Sequence, residues 1–318
     1  MKVTEHIAKA NKTLFSIEVL PPLKGQTINS IFETMDELMP YDPAFVDVTY
    51  HRQEVVYREV DNGLMQKHVV RKRPGTVGIC ASLMNKYNID TVPHIICGGF
   101  SKDETEDALI DLSFLGIDNV LVIRGDPEKA EGEFKPESNG HVYASDLIEQ
   151  VAEMNQGIYI DPELKNKART DFCIGVAGYP EKHFEAPNFK SDLKYLKKKV
   201  DLGAEYIVTQ LFYDNSKYFD FVARCREVGI DVPIIPGLKP IATLKQLNKI
   251  PHFFHVNLPD ELVDQVEACK TNEDVRKVGI KWCIQQSQEL VEAGVPVLHY
   301  YTMGKAKSVG IVAKEVFG

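Results

Sequence analysis

Glu18 closes the run Phe15-Ser16-Ile17-Glu18-Val19-Leu20 and is followed by Pro21-Pro22. A carboxyl group half enclosed at the end of an apolar run has its charged form disfavoured, so its pKa rises into the range of a proton donor. The alternative is an outward-facing carboxylate or one paired with a lysine. Arg124-Gly125-Asp126-Pro127 follows a second apolar run, Val120-Leu121-Val122-Ile123. Its guanidinium offers a forked donor for phosphate or carboxylate, its glycine lets a flat ligand approach the backbone, and Asp126 places a negative charge beside them. A salt-bridged Asp-Pro turn is the plainer reading. Gly178-Tyr179-Pro180-Glu181-Lys182-His183 joins a small residue to a stacking ring and an imidazole that can donate to a polar edge, although Tyr-Pro is also ordinary loop sequence. Lys194, Lys197, Lys198 and Lys199 crowd the next stretch. Such a run is usually a solvated helix face, and near the other residues it is a diphosphate site. Gln210 and Gln246 can read an amide or pterin-like edge through paired donor and acceptor groups. His94 lies inside a strand-like run, where a satisfied core histidine is expected.

These residues share a setting. Short β-type runs at 14–20, 45–49, 91–97, 119–123, 172–177, 206–210, 233–237 and 297–300 alternate with helical patterns, and several runs end in a reactive side chain. Strand, loop and helix repeated about eight times predicts a single (β/α)₈ TIM barrel with extra helices, whose active site lies at the C-terminal ends of the strands. Helices are expected over 27–39, 102–115, from near Ala144, and over 191–202, 216–228 and 243–250. A helical excursion then runs to about Cys269, followed by helices over 272–293 and 305–316. The tract 50–88 is mixed and reads as two helical pieces split by Arg73-Pro74-Gly75. Residues 127–140, rich in Glu, Lys, Pro and Gly, read as a surface loop at the catalytic end, and 157–170 as an insertion before the fifth strand. With no internal repeat, low-complexity tract or linker, residues 1–318 read as one domain.

Composition narrows the function class. The chain has 318 residues, enough for one large barrel, with 44% apolar and 26% charged residues, an ordinary globular balance. A net charge of −9 argues against a nucleic-acid partner, which needs a basic surface. The six cysteines form no Cys-x-x-Cys pair and no metal-type cluster, so they read as reduced core thiols and no metal is expected. The first twelve residues lack an apolar signal core and no run reaches membrane-spanning length, which places the expected protein in the cytoplasm without a membrane partner. No Gly-x-Gly-x-x-Gly or Gly-x-x-x-x-Gly-Lys-Ser/Thr loop is present, so any dinucleotide has to lie across the barrel mouth.

Taken together, Phe15-Ser16-Ile17-Glu18-Val19-Leu20-Pro21-Pro22, Val46-Asp47-Val48-Thr49-Tyr50, Pro93-His94, Arg124-Gly125-Asp126-Pro127, Tyr143-Ala144-Ser145-Asp146-Leu147, Val176-Ala177-Gly178-Tyr179-Pro180, Thr209-Gln210-Leu211-Phe212 and Ile235-Pro236-Gly237 resemble the methylenetetrahydrofolate reductases, in order and over nearly the whole chain. The chain looks like the short bacterial form, without the C-terminal regulatory domain of eukaryotic members. The resemblance implies an FAD enzyme in which NADH or NADPH reduces the flavin and leaves. 5,10-Methylenetetrahydrofolate then takes its place and accepts hydride, giving 5-methyltetrahydrofolate for methionine synthesis by a ping-pong course. Opening the methylene bridge to an iminium needs an acid at the leaving nitrogen. Glu18 matches the family's general acid, and Asp126 its carboxylate near flavin and pterin. By the same resemblance FAD contacts fall at Thr49, Tyr50, Arg52, His94, Arg124, Gly125, Asp126, Tyr143, Ala144, Tyr179, His183, Ala186, Asp192, Lys198 and Lys199. Thr49, Gln210, Gln246 and Lys305 fall on the substrate side. The chain departs from the family pattern at His51-Arg52, which replaces a Gly-Ala pair, and at Tyr195 for Asn, Lys198 for Arg, Ile250 for an aromatic and Lys305 for Arg. A lysine keeps the charge of an arginine but loses its bidentate geometry. Self-association into a homo-oligomer is expected from relatives. Two rival classes stand beside this reading: a flavin-free barrel lyase or methyltransferase acting on a pterin, and a non-catalytic binding protein on the same scaffold.

Overall fold

Runs such as Val120-Leu121-Val122-Ile123 are apolar on both faces, as a parallel strand must be when helices cover one side and a packed interior the other. The computed structural model describes residues 1–60, 63–127 and 132–318. Its strands are β1 (Leu14–Val19), β2 (Phe45–Val48), β3 (Glu54–Val60), β4 (Leu64–Val70), β5 (Asp90–Ile96), β6 (Asn119–Ile123), β7 (Cys173–Gly178), β8 (Tyr206–Thr209), β9 (Ile234–Ile235), β10 (Gly237–Leu238) and β11 (Val297–Tyr301). Nine of them form one parallel sheet in the order β10-β11-β1-β2-β5-β6-β7-β8-β9. Because β9 and β10 are consecutive across Pro236, the two ends of the sheet meet and the expected (β/α)₈ barrel closes. Proline has no N–H for the ladder, which splits the expected run 233–237 into two short pieces. The Pro236 carbonyl still accepts from His299 N at 3.1 Å.

Helices α2 (Asn29–Leu38), α3 (Thr76–Tyr87), α4 (Lys102–Phe114), α5 (Ala144–Asn155), α6 (Phe189–Asp201), α7 (Asn215–Glu227), α8 (Gln246–Phe254), α9 (Asp260–Glu267), α10 (Asn272–Glu292) and α11 (Lys307–Phe317) clothe the barrel. Outward strand residues such as Ile17, Val46, Val48, Val120 and Val122 pack with Met35, Leu83, Leu109 and Leu147 in one continuous layer. A second cluster, Phe45, Val92, Leu121, Tyr206, Val208 and Val297, fills the lower barrel interior. A helix not foreseen from the sequence, α1 (Val3–Lys9), closes this end by packing Val3 and Ile7 on one face against that cluster. The barrel floor is therefore apolar and sealed, which leaves chemistry to the opposite end.

The tract 50–88 corrects its expected form. Only 76–87 is helical, and the first piece is an antiparallel hairpin, β3 paired with β4 from Glu54↔Val70 to Val60↔Leu64. Val55, Val56, Val60, Val69 and Val70 are stiff at χ1 and favour a pleated strand over a helix. Gly63 precedes the second strand at φ 72°, a conformation open chiefly to glycine. The hairpin projects Tyr57, Leu64, Met65 and Val69 into solvent. Of the expected loop 127–140, residues 128–131 lie outside the described residues, and 132–140 is irregular; so is the insertion 157–170. Among the described residues no helix is long and apolar enough to cross a membrane.

Candidate active site

Side chains alternate across a strand, so β1, β2, β5 and β11 each send polar residues inward at the upper end of the barrel. Glu18 is in register with Asp47 on β2 and with Tyr301 on β11. Glu18 Oε2 and Asp47 Oδ2 lie 3.7 and 3.4 Å from the same atom, His94 Nε2 of β5. One level below, Ser16 Oγ meets His299 Nδ1 at 2.9 Å. Tyr301 donates its hydroxyl to the Thr209 carbonyl at 2.6 Å. Burial, reinforced by the Asp47 charge and opposed by His94, pushes the Glu18 carboxyl up to about 7. Burial alone pulls His94 down, but Asp47 and the Glu18 charge outweigh it and leave the imidazole above its ordinary value.

Above this layer the loops after β5, β6 and β7 converge. Gly125 has φ 84°, and a Cβ there would come within 3.3 Å of Ile96 Cδ1, so the backbone here is kept bare. Arg124 donates to Glu185 at 2.6 Å and lies with its guanidinium 5.1 Å from the Phe134 ring centre. Asp126 beside it is exposed. Tyr179 packs edge-on against His183, with ring centres 4.6 Å apart. Burial holds His183 down at about 4, so the ring is neutral near pH 7. Its Nδ1 accepts from Glu185 N at 3.2 Å, which assigns the remaining proton to Nε2 as a free donor. Asp192 Oδ2 accepts from His183 N at 2.8 Å, and Lys182 Nζ donates to the carbonyls of His183 and Ala186, so this loop is stiffly held.

Lys199 is buried to the point that its ammonium is pulled down to about 8, with Asp192 opposing the shift, and its Nζ donates to Ala177 O at 3.2 Å. Lys198 reaches Ser145 Oγ at 3.5 Å, beside Tyr143 and Ala144 at the start of α5. On the other flank Tyr50 packs on Phe100 with ring centres 5.0 Å apart, and Arg52 covers Gly98 and Gly99. Tyr50, Phe100, Arg71, Gly99 and His94 line a cavity opening there. Thr49, just above β2, has its hydroxyl 3.5 Å from His51 Nε2. The structure thus gathers Glu18, Thr49, Tyr50, Arg52, His94 and, across the mouth, Arg124, Gly125, Tyr179, His183, Ala186, Asp192 and Lys199, with Lys198, Tyr143 and Ala144 at the α5 edge.

Two sequence candidates have other engagements. Gln210 Oε1 accepts from Leu211 N at 3.0 Å. Gln246 Oε1 accepts from Ala242 N and Thr243 N at 2.7 and 2.9 Å, closing the turn before α8. In both residues the amide NH₂ is the group left to offer a ligand. Lys305 is exposed in the loop after β11. Asp47, His299 and Tyr301 are members of the polar layer that reasoning on single motifs passed over. Their signal was the period-2 alternation itself: Ser16/Glu18, Asp47/Thr49 and His299/Tyr301 share a face within runs otherwise apolar.

The methylenetetrahydrofolate reductase family model matches residues 2–316. The chain belongs to the methylenetetrahydrofolate reductase family. It is 33% identical over 326 residues to methylenetetrahydrofolate reductase (NADH) 1 of Arabidopsis thaliana, covering 98% of this chain and 50% of that protein. The chain therefore spans about half the length of such plant relatives. It is 31% identical over 293 residues to the 5,10-methylenetetrahydrofolate reductase of Escherichia coli K12, covering 92% of this chain and 86% of the bacterial one. Its fold is similar to that of an uncharacterized protein from Clostridium thermocellum that binds two copies of 5-methyl-5,6,7,8-tetrahydrofolic acid, with TM-score 0.59, 15% identity, and 99% and 97% of the two chains covered.

Proposed function

We propose that this chain reduces 5,10-methylenetetrahydrofolate to 5-methyltetrahydrofolate, using NADH or NADPH as donor and FAD as its bound carrier. Family membership supports the reaction, and relatives are named for each donor. The observation that carries the reading is the position of Glu18, a largely enclosed carboxyl at the upper end of β1, in register with Asp47 and 3.7 Å from His94, where burial pushes it up to about 7. A group with that pKa is protonated often enough at neutral pH to donate, and loses its proton readily once a basic nitrogen is presented.

The residues of the mouth fit FAD. Gly125 keeps its backbone bare for a flat ring, Tyr179 offers an apolar face, and His183 Nε2–H and Arg124 are donors for polar edges or phosphate. Lys198 and Lys199 bring positive charge to the side where Tyr143, Ala144 and Asp192 sit. A flavin held there supplies the hydride chemistry that amino-acid side chains lack. Glu18 protonates the nitrogen that leaves as the methylene bridge opens. Asp126 sets negative charge where the one-carbon unit becomes cationic. The Gln210 and Gln246 amides and the Lys305 ammonium bind the folate, each through a donor that the fold leaves outward.

The visible absorption spectrum of the purified protein tests this. A flavin band is expected, bleached by NADH or NADPH and restored by methylenetetrahydrofolate. A colourless protein that takes up no FAD would favour the flavin-free pterin enzyme instead.

A further inference from the structure

Barrels of this kind are commonly filled by branched aliphatic side chains, yet the level of Glu18 holds a second buried acid. Asp47 is fully buried, and neither of its oxygens has a hydrogen-bond partner of ordinary geometry among the described residues. Its neighbour is His94 Nε2 at 3.4 Å, the same atom that lies 3.7 Å from Glu18. One imidazole therefore stands between two enclosed carboxyl groups. Uncompensated charge in such a place is costly, so the cluster settles near zero net charge. With Asp47 ionised and His94 protonated that condition is already met, and Glu18 keeps its proton. Without the Asp47 charge, neutrality is reached with one proton fewer, which His94 and Glu18 then share.

We propose that Asp47 is a positioning residue for proton transfer: its charge neutralises the His94 imidazolium, which would otherwise draw the proton off Glu18, and so leaves Glu18 protonated and ready to donate. The proposal rests on reading Glu18 as the acid. Donation moves the Glu18 proton to the leaving nitrogen and leaves a carboxylate, which a proton from solvent restores. The other titratable groups facing the cluster are His51 beyond β2, Cys80 on α3, Tyr206 on β8, and His299 and Tyr301 on β11. Burial lowers both of these histidines and raises the thiol and the tyrosines, so all five are neutral near pH 7 and none competes with Asp47 for the imidazolium.

Asp47→Asn, which keeps the shape and removes the charge, is read in two ways. Histidine-selective NMR of the whole protein, with the His94 signal identified by its loss in His94→Gln, needs no substrate. His94 is expected to titrate above the ordinary imidazole range in the parent and to lose its proton about one pH unit lower in the variant. An unchanged titration overturns the proposal. The second readout is the pH dependence of the methylenetetrahydrofolate half-reaction. Its alkaline limb is expected to move down by about one unit in Asp47→Asn and to vanish in Glu18→Gln. A limb retained in Glu18→Gln makes another group the acid and sinks the reading on which the proposal stands. A limb lost there but unmoved in Asp47→Asn overturns the proposal alone. Asp47→Ser, with the same expected shifts, serves if the buried amide is not tolerated.

Discussion

Glu18 shows how one position couples chemistry to stability. In the folded protein the carboxyl keeps its proton up to about pH 7, whereas its ordinary value is 4.5. Between those values the folded chain binds a proton that the unfolded chain has released, so this group's effect on stability becomes less favourable as pH rises through the window. The cost levels off above about pH 7 at on the order of 3 kcal/mol. Glu18→Gln does not titrate and escapes this cost. Thermal melts should find the variant no more stable than the parent near pH 4, and increasingly more stable towards pH 8. A gap that does not widen with pH would mean that Glu18 ionises as if exposed. Such a loss of stability fits the acid role proposed for Glu18. Its type and place were visible in the sequence, since a carboxylate at a strand end in a barrel lies at the active face. The size of its shift was not, because that depends on Asp47 and His94 brought in from two other strands.

At the scale of elements, the loop after β10 is held by α10. Gly279 lies on the face of α10 that meets the backbone of Ile241, and a Cβ there would fall 1.9 Å from the Ile241 carbonyl oxygen. Backbone cannot swing aside as a flexible side chain does. Gly279→Ala should therefore cost about 1–3 kcal/mol by overpacking, despite alanine's better helix propensity, and should disturb the turn that Gln246 closes. Chemical denaturation gives the stability change; a neutral or stabilising result would show that helix and loop separate easily. Helices such as those expected over 27–39 and 191–202 were legible because one apolar stripe, Ile31, Met35 and Leu38 in the first and Leu193 and Leu196 in the second, faces the barrel. The hairpin β3–β4 was not. Its strands are largely exposed and carry apolar residues on both faces, so no clean period marks them, and only their pairing with each other defines them.

For the molecule as a whole, the sealed floor beneath α1 leaves one open end, and the candidate residues of β1, β2, β5, β6 and β7 meet there. Under the proposed function, nicotinamide and pterin use the same face of the site in turn. Double-reciprocal plots at several fixed concentrations of the second substrate should be parallel; intersecting lines would mean that both are bound together. The cations of this mouth stand out on a chain of net charge −9. Local charge, not the total, thus decides which anions are drawn in, and raising ionic strength weakens that attraction.

The sequence by itself determined the barrel, the end of it at which the candidate residues gather, and the family. Each of these follows from patterns along the chain: alternating strand and helix periods, reactive residues at strand ends, and motifs in a fixed order. Only the tertiary structure decided which side chains act on one another. Asp47 and His94 are far from Glu18 in sequence and adjacent only because parallel pairing sets β1, β2 and β5 in register. Likewise, His183 was legible as an imidazole in a loop, but its neutral state and its free Nε2–H come from burial and from the Glu185 amide that occupies Nδ1. Protonation states and the direction of donors are properties of surroundings, and a chain acquires its surroundings by folding.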